Sequence, residues 1–213
     1  MRPGRDRLMK NLLMILLVVS VAAMSVSAGA QQLFDFNGQA LLPASVGGSL
    51  TMYSEVFDAS PAVTPIPLDF ANYQYTLVVQ GLTLDVDGFT QAYSGGTITL
   101  YEDAGTVADF GSPATFTDGT AILIGTFPTL SRTVFPGGIG SVAGTVDWTG
   151  GTHFDDIAPE DQPNWTFLSG THNGVDQAEP GYDEMWDGKV EPKEPIVADT
   201  ASSFGSVKAL FRD

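Results

Sequence analysis

The chain has 213 residues, 25 acidic against nine basic side chains, a net charge of −16 and no cysteine. So large an excess of carboxylates repels phosphate backbones and anionic lipid, which excludes nucleic-acid binding and a membrane role built on basic patches. Without cysteine there is no disulfide, thiol nucleophile, thiolate zinc site, iron–sulfur cluster or lipoprotein anchor.

The chain begins with a basic stretch, Arg2, Arg5, Arg7 and Lys10, followed by an apolar run from Leu12 to Val19 that continues through Val21 and Met24 to small residues. This pattern predicts a secretory signal helix over residues 1–30. Cleavage follows Ala28-Gly29-Ala30, with Val26-Ser27-Ala28 as the alternative site. A stable transmembrane helix needs about 20 apolar residues, more than this run provides. The expected destination is therefore secreted, extracellular or periplasmic, by a Sec-type route. Beyond residue 30 the chain carries 24 acids against five bases, a net charge of −19, which leaves cations and neutral glycans as the partners its charge favours.

Downstream, short runs rich in Thr, Val, Ile, Leu, Phe and Tyr are broken by Gly, Pro, Asp and Asn. Strands are predicted at Ser49–Phe57, Tyr73–Val86, Thr97–Tyr101, Ala121–Phe127, Gly140–Trp148, Trp165–Gly170 and Tyr182–Val190. Turn dipeptides delimit them: Asp87-Gly88, Gly95-Gly96, Asp118-Gly119 and Gly137-Gly138. Thr97–Tyr101 alternates as a half-buried antiparallel strand. Leu77, Val79, Leu82 and Leu84 share a face only if a bulge sits near Gln80-Gly81. Ala121–Phe127 is apolar almost throughout and reads as a central strand covered on both sides. Pro61, Pro65 and Pro67 mark an exposed connection that cannot enter a sheet. Residues 191–213 read as a linker and an amphipathic tail, with Ser202 or Ser203 capping a short helix over Phe204–Arg212.

Oxygen ligands are densest at Asp155, Asp156, Glu160 and Asp161, a loop of the type that holds calcium outside the cell. Against this stands a plain solvated acidic loop. The two histidines, His153 and His172, each follow a Trp-Thr pair and a Gly-Thr step. If these mark a duplicated strand end, the imidazoles with Asp155 and Asp176 outline an open zinc site; otherwise they are turn histidines. Trp148, Trp165, Trp186, Tyr93 and Tyr101 are the candidates for stacking on sugar rings, because a flat aromatic face covers the C–H side of a pyranose. The competing reading places them in the core. No nucleophile elbow, phosphate-binding loop or dinucleotide fingerprint is present in the sequence.

Gly95–Asp103 followed by Ser112–Thr120 resembles stretches of secreted, β-rich proteins of Gram-negative bacteria, some of which carry PEP-CTERM sorting tails. The similarity covers the middle third of the chain. It implies a surface or matrix component and assigns no catalytic residue. The chain departs from the sorting tail, lacking its Val-Pro-Glu-Pro box and apolar span.

Together these readings predict an all-β domain over residues 31–190, a two-sheet antiparallel β-sandwich of jelly-roll or immunoglobulin-like character. The expected role is that of an exported, non-catalytic surface, matrix or binding protein. A calcium-supported carbohydrate-binding module comes next, and a carboxylate-based glycan hydrolase third.

Overall fold

A computed structural model describes residues 34–57, 66 and 68–192. The predicted signal, the prolines at 61, 65 and 67, and the predicted C-terminal helix lie outside the described residues. Eight strands follow one another: β1 (Phe34–Leu41), β2 (Ser49–Phe57), β3 (Gln74–Val86), β4 (Thr90–Asp103), β5 (Thr120–Phe135), β6 (Ile139–Gly150), β7 (Trp165–His172) and β8 (Glu184–Glu191). Each pairs antiparallel with the next, and β8 returns to β1 through Phe34↔Val190 to Ala40↔Glu184. The result is a closed up-and-down barrel and corrects the expected two-sheet β-sandwich. Among the described residues there is no α-helix, only short 3-10 turns at Pro113–Phe116, Phe154–Asp156 and Pro159–Asp161.

The physical reason for the difference is β1. Seven strands cannot close an antiparallel ring, because the first and last would run parallel; an eighth is required. β1 alternates correctly, with Phe34, Phe36 and Ala40 buried. Its centre, however, is Asn37-Gly38, which as a dipeptide signals a turn. Here the glycine serves close approach instead, since a Cβ on Gly38 would lie 2.5 Å from the Cβ of Ser54 on β2. The long strands β3 to β6 also carry bulges in their pairing, which add the local bend and twist that closure of a sheet requires.

The bulge predicted near Gln80-Gly81 is present. Leu50 pairs with Leu82 and Met52 with Val79, so β3 gains a residue on β2. Leu77, Val79, Leu82 and Leu84 consequently all turn inward and are buried. Gly95-Gly96, expected to end a strand, instead lies within β4 opposite this bulge. Gly96 has φ of 80° and Gly81 of 74°, a left-handed conformation that glycine adopts without strain. Asp87-Gly88 and Gly137-Gly138 do close hairpins, β3–β4 and β5–β6. In β5, Leu123 and Phe127 are buried while Ile124 is 36 % exposed, so this strand is covered on the inner face but open at Ile124 on the outer.

The barrel interior is filled. Phe167 stacks on Phe36 at 5.2 Å, meets Phe127 edge to face at 5.4 Å and lies 6.4 Å from Trp186. Trp148 and Trp165 form an edge-to-face pair at 5.6 Å. At the end of the barrel bearing the long loops, Ile66 and Ile157 are buried against this core, with Leu68, Phe70 and Phe154 packed on it. At the hairpin end the interior closes on an ion pair, Arg132 with Glu184, both nearly fully buried. A smaller aromatic cluster lies outside the barrel wall, where Phe110 and Phe116 of the β4–β5 connection cover Tyr53 together with Tyr182.

Candidate functional site

Because the interior is packed, the places open to a ligand lie outside the wall. Outward strand positions carry Asp35, Asn37, Glu55, Asp147, Asp187 and Lys189 with many threonines, rather than the apolar band that a membrane-spanning barrel turns to lipid. Among the described residues no helix is long and apolar enough to cross a membrane.

A shallow groove of about 390 Å³ crosses the wall over β6, β7, β8 and β1. Strand alternation explains its shape. Ser141 and Ala143 of β6 and Gly170 of β7 are neighbouring outward positions, paired as Ser141↔Gly170 and Ala143↔Leu168. Their small side chains leave a depression floored by backbone. Leu168, 39 % exposed, forms an apolar wall, and Asp35, Asp187 and Lys189 supply charge. Lys189 Nζ donates to Glu191 Oε1 at 2.5 Å, which orients the ammonium beside the groove. A Cβ on Gly170 would meet only the Asp187 carbonyl oxygen, at 3.9 Å, so the depression is open to a side chain or a ligand. The sequence reading missed these residues; the one signal for them is the run of small outward residues in β6 and β7, which becomes visible only once the strand register is known.

The candidates from sequence are dispersed. Trp148, Trp165, Trp186 and Tyr93 are buried at 3, 0, 0 and 4 % exposure, their rings committed to the barrel interior. Tyr101 is half-buried on the outer wall of β4, paired with Thr76 of β3. Asp155, Asp156, Glu160 and Asp161 sit exposed on two successive 3-10 turns in the β6–β7 connection. One carboxylate of that run is engaged: His153 Nδ1 lies 2.6 Å from Asp156 Oδ2. The backbone of Asp161 accepts from Trp165 Nε1 at 2.5 Å. Among the described residues no group of three or more His, Asp or Glu side chains converges as a metal site would require. The two histidines occupy opposite ends of the barrel, His153 beyond β6 and His172 at the end of β7. Trp148 ends one strand while Trp165 begins the next, so the shared Trp-Thr pattern does not mark equivalent positions.

At the hairpin end, polar groups do converge, but inside the barrel. Arg132 Nε donates to Glu184 Oε2 at 3.0 Å and Nη1 donates to Gln91 Oε1 at 2.8 Å; Arg132 Nη2 bonds Glu184 Oε1. Trp186 Nε1 donates to Glu184 at 3.1 Å, and Tyr93 donates to Gln91 at 2.8 Å. Gln91 Nε2 in turn reaches Asp87 at the surface, at 2.8 Å. Burial holds the Tyr93 phenol above its ordinary pKa, with the Arg132 charge pulling the other way. Every donor of the guanidinium that meets a side chain is committed to the protein, which suits a plug closing the barrel. Comparison of the chain with protein-family models, curated proteins and solved structures finds no match.

Proposed function

We propose that this protein is an exported, non-catalytic binding module that holds a neutral glycan on the outside of its barrel, in the groove over β6, β7, β8 and β1. The observation that carries the reading is the contrast between a filled interior and an open depression on the wall. Sugar hydroxyls both donate and accept, which suits the Asp35 and Asp187 carboxylates, the Ser141 hydroxyl and the Lys189 ammonium. Leu168 offers an apolar contact for the C–H face of a ring. The carboxylates turn away acidic polymers. The basic-then-apolar sequence of residues 1–30, which reads as an export signal, and the resemblance of Gly95–Asp103 and Ser112–Thr120 to secreted surface proteins support the same placement outside the cytoplasm.

The test is retention of the protein on a panel of immobilised neutral and acidic polysaccharides. At least one neutral polymer should retain it, with acidic ones ignored. Gly170→Ile, which fills the depression from a backbone position that accepts a Cβ, should weaken retention about tenfold or more, a loss of about 1.4 kcal/mol. Retention unchanged by Gly170→Ile and by Asp187→Ala, or no retention on any neutral polymer, would contradict the proposal.

A further inference from the structure

Two neighbouring hairpins at one end of the barrel hold an apolar patch open to solvent. Phe89 is 65 % exposed, Phe135 39 % and Ile139 47 %. The rings of Phe89 and Phe135 meet edge to face at 5.9 Å, and Ile139 is the cross-strand partner of Phe135. The backbone N–H of Val134 donates to the Phe89 carbonyl at 2.9 Å, tying the β3–β4 turn to β5. The three side chains therefore form one fixed surface and are not the tips of separate loops.

From this patch the outward face of β5 continues through Thr133, Ser131, Thr129, Thr126 and Ile124, with no charged side chain. On β6 the first outward carboxylate after Ile139 is Asp147, near the opposite end of the strand. Asp85 and Asp87 border the patch on the β3 side, and Asp87 already accepts from Gln91. The outward positions of β4 from Thr90 to Tyr101 are uncharged as well, so in a chain with 25 acids and a net charge of −16 the neighbouring outward faces of β4 and β5 form one sector without a carboxylate. Two copies repel wherever their carboxylates face one another. They can approach closely where none do, and there they also have apolar surface to remove from water.

We propose that the β4–β5 face with its Phe89–Phe135–Ile139 patch is a self-association surface, occupied by the same face of a second copy in a two-fold, isologous pair. Because general repulsion opposes this pairing and an uncharged face drives it, the pair tightens when salt screens the charges. An interface made of ion pairs would do the reverse.

The test is sedimentation equilibrium of residues 31–213, which hold every strand of the closed barrel, at low and high sodium chloride. The result expected is a reversible dimer whose association constant rises roughly threefold or more on going from about 0.05 to 0.5 M salt. Phe89→Ser combined with Phe135→Ser should weaken it about tenfold or more. Thr129→Asp, which adds a carboxylate to the sector far from the rings, should do the same without touching the core. A monomer at all concentrations up to about 1 mM would overturn the proposal, as would a dimer indifferent to both variants. Absence of a dimer together with phenylalanine-dependent flotation on phosphatidylcholine vesicles would overturn it too, assigning the patch to a bilayer surface. Gly170→Ile lies on β7, two strands from β5 and outside the β4–β5 face, and should leave the dimer intact, so failure of glycan retention and failure of self-association are separate results.

Discussion

Tyr75 shows how a single side chain closes the loop end of the barrel. Its ring is buried against Phe70 at 4.8 Å, its hydroxyl donates to Glu102 Oε2 at 2.8 Å, and it accepts from the Asp69 N–H at 2.8 Å. Burial pushes the phenol above its ordinary value of 10, with Glu102 and Asp69 adding to the rise and the Asp69 N–H opposing it. The unfolded chain ionises this tyrosine near pH 10 while the folded chain keeps it protonated. Its contribution is therefore complete below pH 10 and falls away as pH rises above that value. Tyr75→Phe should cost about 1–2 kcal/mol at neutral pH through the two lost hydrogen bonds, and should flatten the decline in stability above pH 10 measured by urea unfolding. At the other end, Glu184→Ala leaves Arg132 buried and unpaired and should cost about 3–5 kcal/mol. Replacing both partners, as Arg132→Met with Glu184→Leu, should cost markedly less. Equal losses in denaturant midpoint for the single and double variants would contradict the plug assigned to this pair.

At the scale of the elements, most strands were legible in the sequence because alternation and turn chemistry are local. The bulge at Gln80-Gly81 could be deduced because four leucine and valine side chains needed one face, and that face is the barrel interior. What was not legible depended on partners. Asn37-Gly38 is a turn signal in isolation and a strand centre when Ser54 packs over it; Gly95-Gly96 is a strand end in isolation and a kink when Leu82 lies opposite. A sandwich and a barrel share the same strands, and only the pairing of β1 with β8 separates them. The groove could not be read for the same reason, since its residues come from four strands and none is unusual alone. The tryptophans were ambiguous between stacking and core, and closure of the ring put them inside. The kink gives a prediction: a Cβ on Gly96 would approach Leu82 N to 2.9 Å, and its φ is 80°. Gly96→Ala should therefore destabilise by about 1–3 kcal/mol, seen as a lowered melting temperature, whereas Gly170→Ala in the groove should change it little.

For the barrel as a whole, closure abolishes sheet edges and the interior is packed with side chains, so among the described residues the surface offered to partners is the outer wall. The wall divides accordingly into a groove with carboxylates at its rim, an uncharged β4–β5 face, and a sector covered by the Phe110–Phe116–Tyr182 cluster. The most direct test of this account is to follow backbone amide shifts by NMR while a neutral oligosaccharide that binds is titrated into residues 31–213. Shifts should concentrate on Asp35, Ser141, Leu168, Gly170, Asp187 and Lys189. Shifts concentrated instead on inward-facing residues such as Phe167 and Trp186 would mean that the barrel opens to admit its ligand, and would contradict binding on the outer wall.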